Sequence, residues 1–109
     1  MKGYDYDGVI TNNILPSPGD VIITGRSCTE GVERTYLDMK RRGIQNIAVY
    51  FMPHNWKGLP KLAGLIRTGQ WKAHMIDILE LEEFFEDEPT QYKSILEHLK
   101  GNTKITKVG

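Results

Sequence analysis

The stretch DVIIT, residues 20 to 24, decides the fold. Three consecutive β-branched apolar residues, Val21, Ile22 and Ile23, stand between turn-forming residues on both sides: Ser17 to Asp20 before them, Gly25 after Thr24. A short run that is continuously apolar, rather than apolar at alternate positions, predicts a strand buried on both faces. Strands of that kind belong to parallel sheets, which need helices over each face.

Towards the C-terminus, Ser27 and Glu30 have the spacing of a capping box and predict a helix starting there. Val32, Tyr36 and Met39 share a face of it, and Gly43 stops it. NIAVYFM, residues 46 to 52, predicts the next strand, ended by Pro53. Residues 53 to 70 form a mixed connection with a short helix near 60 to 67. WKAHMIDIL, residues 71 to 79, predicts a helix that Lys72 opens and that is apolar along Ala73, Ile76 and Leu79. EEFFED, residues 82 to 87, predicts a strand ending in acids. Pro89 suits the first position of a further helix, with Tyr92, Ile95, Leu96 and Leu99 as its apolar stripe and Gly101 at its end. KITKV, residues 104 to 108, alternates polar and apolar and suits an edge strand. Towards the N-terminus, VITNNILPSPGD reads as loops and turns, and MKGY is the only stretch left for a first strand. Lys2 and Gly3 are unusual residues for a buried strand. Strands thus alternate with helices, which predicts an α/β fold in a single domain over residues 1–109.

The totals narrow the function classes. Fourteen basic and 14 acidic side chains cancel, so bulk charge gives no case for nucleic acid or a membrane surface. Lys57, Lys61, Arg67 and Lys72 precede an acidic run from Asp77 to Glu88, and both runs read as solvated faces. Cys28 is the one cysteine, so no internal disulfide forms. No apolar run approaches the roughly 20 residues of a spanning helix, and no charged-then-apolar leader is visible. These features predict a soluble cytoplasmic protein without membrane attachment. His54, His74 and His98 lack metal-ligand spacing and are assigned no role, while Trp56 and Trp71 read as core or rim.

In open parallel sheets, ligands bind beyond the carboxyl ends of the strands. The residues expected there are Asp5 and Asp7 after the first strand, Thr24 after the second, and Glu86 and Asp87 after the fourth. Alone, YDYDG at residues 4 to 8 reads as a turn. Carboxylates gathered at one rim repel one another unless a cation lies between them, and hard oxygen donors suit Mg²⁺. Lys72 at a helix start would neutralise a phosphate or a nucleophilic carboxylate, and Gly25 would let backbone N–H groups approach an anion.

These segments resemble the motifs of the haloacid dehalogenase-like (HAD-like) phosphohydrolases. DYDGVIT is similar to their Asp-x-Asp motif, VIITGR to an apolar strand ending in Ser or Thr, WKAHMI to a lysine at a helix start, and FFEDEP to an acidic pair closing a strand. The resemblance covers residues 5 to 88, in the family's order. It implies a three-layer α/β/α sandwich on a five-stranded parallel, Rossmann-like sheet. It also implies a Mg²⁺-dependent phosphatase working through an aspartyl-phosphate. Asp5 would be the nucleophile and Asp7 the general acid and then base. Thr24, Gly25 and Lys72 would hold the phosphate, and Mg²⁺ would sit on Asp5, the Asp7 carbonyl and Asp87, with Glu86 as a second-choice ligand.

Family members often carry a cap domain, and the connections here are too short for one. The resemblance then implies an open site suited to a large phosphorylated substrate, a nucleic-acid end or a phosphoprotein, or a site closed by a second subunit in a homo-oligomer. The basic stretch from Lys57 to Lys72 is expected near that rim. Two alternatives stand beside this reading. A catalytically degenerate member would act as a binding module. CTEGVERT, residues 28 to 35, resembles the signature loop of cysteine-dependent phosphatases, with Cys28 as thiolate and Arg34 holding phosphate. The plainer reading of Cys28 is a small residue in a helix's first turn.

Overall fold

The computed structural model describes residues 1–53 and 56–109, so His54 lies outside the described residues. Five strands form one sheet: β1 (Lys2–Tyr4), β2 (Val21–Ser27), β3 (Ala48–Met52), β4 (Glu83–Glu86) and β5 (Lys104–Lys107). Their order is β3-β2-β1-β4-β5 and every pairing is parallel. The helices are α1 (Val32–Arg41), α2 (Lys61–Leu79) and α3 (Pro89–His98), with a short 3-10 turn at Ile10–Asn12. Among the described residues, no helix is long and apolar enough to cross a membrane.

The continuous apolar run of β2 does what a doubly covered strand requires. Ile22 joins a core cluster with Tyr4, Tyr6, Val9, Ile10 and Met39. Its neighbours Val21 and Ile23 point the other way, into a cluster with Ala73, Ile76, Phe84 and Ile95. Period-two alternation places these clusters on opposite faces of the sheet. The first cluster draws on α1 and the β1–β2 connection, the second on α2 and α3.

The short strand β1 is the central one, and its glycine has a packing reason. A Cβ on Gly3 would lie 2.5 Å from Leu81 Cδ1 and 2.8 Å from Phe84 Cδ1. Only a residue without a side chain lets the second cluster close over β1 here. Asp20 ties this end of the sheet together. It accepts from the Lys2 N–H (3.0 Å), the Ser17 N–H (2.9 Å) and the Tyr4 hydroxyl (3.2 Å).

Three expectations change. Ser27 does not cap a helix: β2 runs through it, α1 begins at Val32 behind Gly31, and the Ser27 Oγ accepts from the Thr29 N–H at 3.1 Å. Glu30, the other half of the expected capping box, pairs with Lys57 at 2.6 Å. On α1 the buried residues are Thr35 and Met39, while Tyr36 is exposed, and on α3 Leu96 is exposed beside buried Ile95. The two expected helices between β3 and β4 are a single 19-residue helix, so Lys72 lies in its interior and opens nothing. Gly69 costs α2 about 1 kcal/mol in intrinsic propensity. It returns that through packing, because a Cβ there would lie 2.5 Å from Ser94 Cβ on α3. Pro89 does take the first turn of α3, where Glu88 caps the helix by accepting from the Gln91 N–H at 2.6 Å.

Candidate active site

The chain turns to opposite faces after β1 and after β4, which are neighbours in the sheet. Such a switch point opens a crevice at the strands' carboxyl ends. Asp5 follows β1 there, Glu86 ends β4, and Asp87 follows it. Lys72 reaches the same point from α2. Its ammonium donates to Asp5 Oδ1 at 2.9 Å and to Glu86 Oε1 at 2.7 Å, and Lys72 and Glu86 are fully buried. The other Glu86 oxygen accepts from the backbone N–H groups of Asp87 (3.2 Å) and Glu88 (3.3 Å). Glu86 is therefore committed to bracing Lys72 and the turn after β4. Lys72 and Glu86 do not lie on the solvated faces that the charge runs predicted.

The electrostatics follow from burial. One ammonium faces three carboxylates, and oxygens of Asp5, Glu86 and Asp87 lie within 4.8 Å of one another. Burial pushes the Asp5 carboxyl up to about 7, with Lys72 opposing and Glu86 adding to the rise. Desolvation and a hydrogen bond with Asp5 raise Asp87 to about 6. Burial works to lower the Lys72 ammonium, but Asp5 and Glu86 outweigh it and lift it to about 12. Both carboxyls are thus shifted towards their neutral forms, and a cation at this point would offset the same charge. The donor set fits a hard divalent ion, being all carboxylate oxygen. Among the described residues this is the one group of acids, histidines or cysteines close enough to hold a metal.

A pocket of about 530 Å³ opens over this cluster, lined among others by Asp5, Asp7, Gly25, Arg26, Lys72 and Asp87. A larger hollow of about 880 Å³ lies elsewhere, along the C-terminal half of α2 and the α3–β5 connection, lined by His74, Asp77 and His98. It lacks a comparable acidic cluster among the described residues, so the smaller pocket is the candidate site.

The expected site residues are placed unevenly. Asp7 lines the pocket, but its exposed carboxylate is held by Arg26, whose Nε and Nη2 donate to it at 3.0 and 2.7 Å. Thr24 is fully buried, and its hydroxyl oxygen accepts from the Arg26 N–H at 3.1 Å. Thr68 of α2 is the hydroxyl residue that lines the pocket together with Gly25. Gly25 permits this, since a Cβ on it would lie 3.0 Å from Thr68 Cγ2. Of the basic stretch, Lys61 lines the pocket, Arg67 sits over the Trp56 ring at 5.6 Å, and Lys72 is buried, so the stretch is not one surface. Cys28 sits on an exposed turn with its Sγ 3.9 Å from the Pro53 carbonyl, and Arg34 lines a different hollow with other arginines.

Two residues escaped the sequence reading. Arg26 clamps Asp7, donates to the Thr35 hydroxyl at 2.9 Å, and covers the Tyr6 ring at 4.5 Å. Gly8 has φ +85°, and a Cβ on it would lie 1.8 Å from Asp87 Oδ2. The glycine that ends YDYDG is thus what lets the Asp87 carboxylate rest over the turn after β1. Gly8→Ala should cost roughly 1–3 kcal/mol from the left-handed backbone and the displaced carboxylate together. Urea denaturation with and without Mg²⁺ checks this. The expected result is a lower midpoint and a smaller Mg²⁺-dependent gain; a variant matching wild type in both would contradict this role. Comparison with protein-family models, with curated proteins and with solved structures found no match to this chain.

Proposed function

We propose that the protein is a Mg²⁺-dependent phosphohydrolase of the HAD-like kind. Its core in this reading is a three-layer α/β/α sandwich around the Rossmann-like parallel sheet. One observation carries the reading: a buried Asp5, braced by Lys72 and Glu86, meets Asp87 at the switch point between β1 and β4. A lone acidic cluster would also serve structure. A buried lysine holding one carboxylate in place at the floor of a pocket is what a carboxylate nucleophile needs.

Asp5 Oδ attacks phosphorus, and the P–O bond to the leaving alcohol breaks as Asp7 gives that oxygen its proton. Water then attacks the aspartyl-phosphate, Asp7 takes a proton from it, and the bond from Asp5 to phosphorus breaks. Lys72 keeps Asp5 positioned and offsets the charge that gathers during transfer. Asp5 and Asp87, with the Asp7 main-chain carbonyl, would hold Mg²⁺, and Glu86 would serve Lys72 instead. Bound there, the ion supplies neutralising charge for the phosphoryl oxygens. Asp7 works only when its carboxylate leaves Arg26 for the pocket.

The test is phosphate release from para-nitrophenyl phosphate, with Mg²⁺ and with excess chelator. Mg²⁺-dependent release is expected; equal release in chelator would overturn the reading. Chelator-resistant release lost in Cys28→Ser would instead support the cysteine mechanism. The Asp7–Arg26 pair favours a second reading, a binding module without turnover, since it holds the proposed acid on the pocket's rim. Beryllium fluoride with Mg²⁺ separates the two: an acyl-phosphate mimic forming on Asp5 supports chemistry, and none forming supports binding alone.

A further inference from the structure

Beside the acidic pocket lies a smaller hollow of about 240 Å³, lined by Thr11, Arg26, Arg34, Asp38, Arg41 and Arg42, with Leu37. The chain as a whole is neutral, so four arginines around one small hollow are a strong local excess of positive charge. The one carboxylate in the lining is already engaged. Asp38 accepts from the Tyr6 hydroxyl and from Arg42 Nε at 2.7 Å. Arg42 also donates to the Ile10 carbonyl at 3.3 Å, and Arg26 is held by Asp7 and Thr35. Arg34 and Arg41, two turns apart on α1, have no ion pair or hydrogen bond among the described residues. Arginines that converge on one hollow without a carboxylate for each form a site for an oxyanion, which a guanidinium binds through paired N–H donors.

Arg26 lines both this hollow and the acidic pocket. The two therefore border on the same residue. We infer that the arginine hollow is a second anion site that takes a phosphate group next to the one held over Asp5. The preferred substrate then carries two neighbouring phosphates, as a nucleoside bisphosphate or the phosphorylated end of a nucleic-acid strand does. The substrate part of this inference rests on the phosphohydrolase reading; the anion site itself does not.

The experiment uses the full chain carrying Asp5→Asn, so that ligand persists. Affinities are measured by calorimetry for adenosine monophosphate, adenosine 3′,5′-bisphosphate and a 5′-phosphorylated thymidine oligonucleotide. The two-phosphate ligands should bind about tenfold tighter than the monophosphate, with a steeper loss at high salt. Arg34→Gln with Arg41→Gln, both exposed positions, should reduce that preference to about threefold or less. A tighter oligonucleotide than bisphosphate assigns the site to a strand's phosphodiester, and equal affinities assign it to any second phosphate. No preference for two phosphates, or a preference that survives the double substitution, would overturn the site. If wild type releases no phosphate from these ligands while the preference persists, the hydrolase reading falls and the anion site stands.

Discussion

Lys72→Met should lose roughly 3–5 kcal/mol of stability at pH 8. The ammonium is fully buried and forms ion pairs with both Asp5 and Glu86. Without it, two carboxylates stay buried with no counter-charge, which costs more than the pair contributes when intact. A domain of this size has about 5–15 kcal/mol in total, so a large share of the stability margin goes. The loss should shrink by pH 5, because the stranded carboxylates can take up protons and become neutral. Chemical denaturation at both pH values checks this, and Glu86→Gln added to the lysine variant should recover part of the loss. The same loss at pH 5 as at pH 8 would mean that the methionine fails through packing, not through charge.

Asp5→Asn should act oppositely on stability and activity. The folded Asp5 keeps its proton up to about 7, against an ordinary value of 3.8, chiefly because it is buried. Between those values the folded state binds more protons than the unfolded state. Stability therefore falls as pH rises from about 4 to about 7. The shift corresponds to something on the order of 4 kcal/mol. The Lys72 contribution is lost only as pH rises through about 12, outside that window. Asparagine carries no charge at either end. The variant should thus be flatter with pH and more stable than wild type at pH 8 without metal, while Mg²⁺ should stabilise wild type and not the variant. On the proposed mechanism its phosphate release should drop by about 10³-fold or more, because the proposed nucleophile is removed. Thermal melts across pH 4 to 8, with and without Mg²⁺, and phosphate release at pH 7 give both readings. A variant less stable than wild type at pH 8 would show that pairing with Lys72 stabilises the Asp5 carboxylate by more than its burial costs, and full activity in it would exclude Asp5 as nucleophile.

In the proposed reading the site sets stability against function. Asp5 is held in surroundings that disfavour its charge, and one buried lysine keeps it aligned. Such arrangements cost stability and are found where chemistry needs a poised group.

Much of this was legible along the chain. The continuous apolar run at Val21–Ile23 announced a doubly covered strand, and the two clusters on either side of β2 bear that out. The acids at the ends of YDYDG and FFED were expected at one rim, and Asp5, Glu86 and Asp87 do meet there. Both signals are local, because burial pattern and strand ends follow from residues a few positions apart. What was misread involved partners far along the chain. Gly3 weakened the reading of β1 because its reason, Leu81 and Phe84, lies some eighty positions away. The interior glycines of α2 have low helix propensity, and only α3 lying against Gly69 makes one an advantage. Ser27 fitted a capping box, yet pairing with β3 carried the strand through it.

The sequence by itself determined the alternation of strands and helices, the covered sheet and the strand ends where acids arrive, since periodicity and turn chemistry act over a few residues. Only the tertiary structure decided that Lys72 is a buried brace, that Glu86 serves it, that Arg26 clamps Asp7, and that Gly8 makes room for Asp87. Each of those depends on a side chain's partner and its burial, and a linear pattern carries neither.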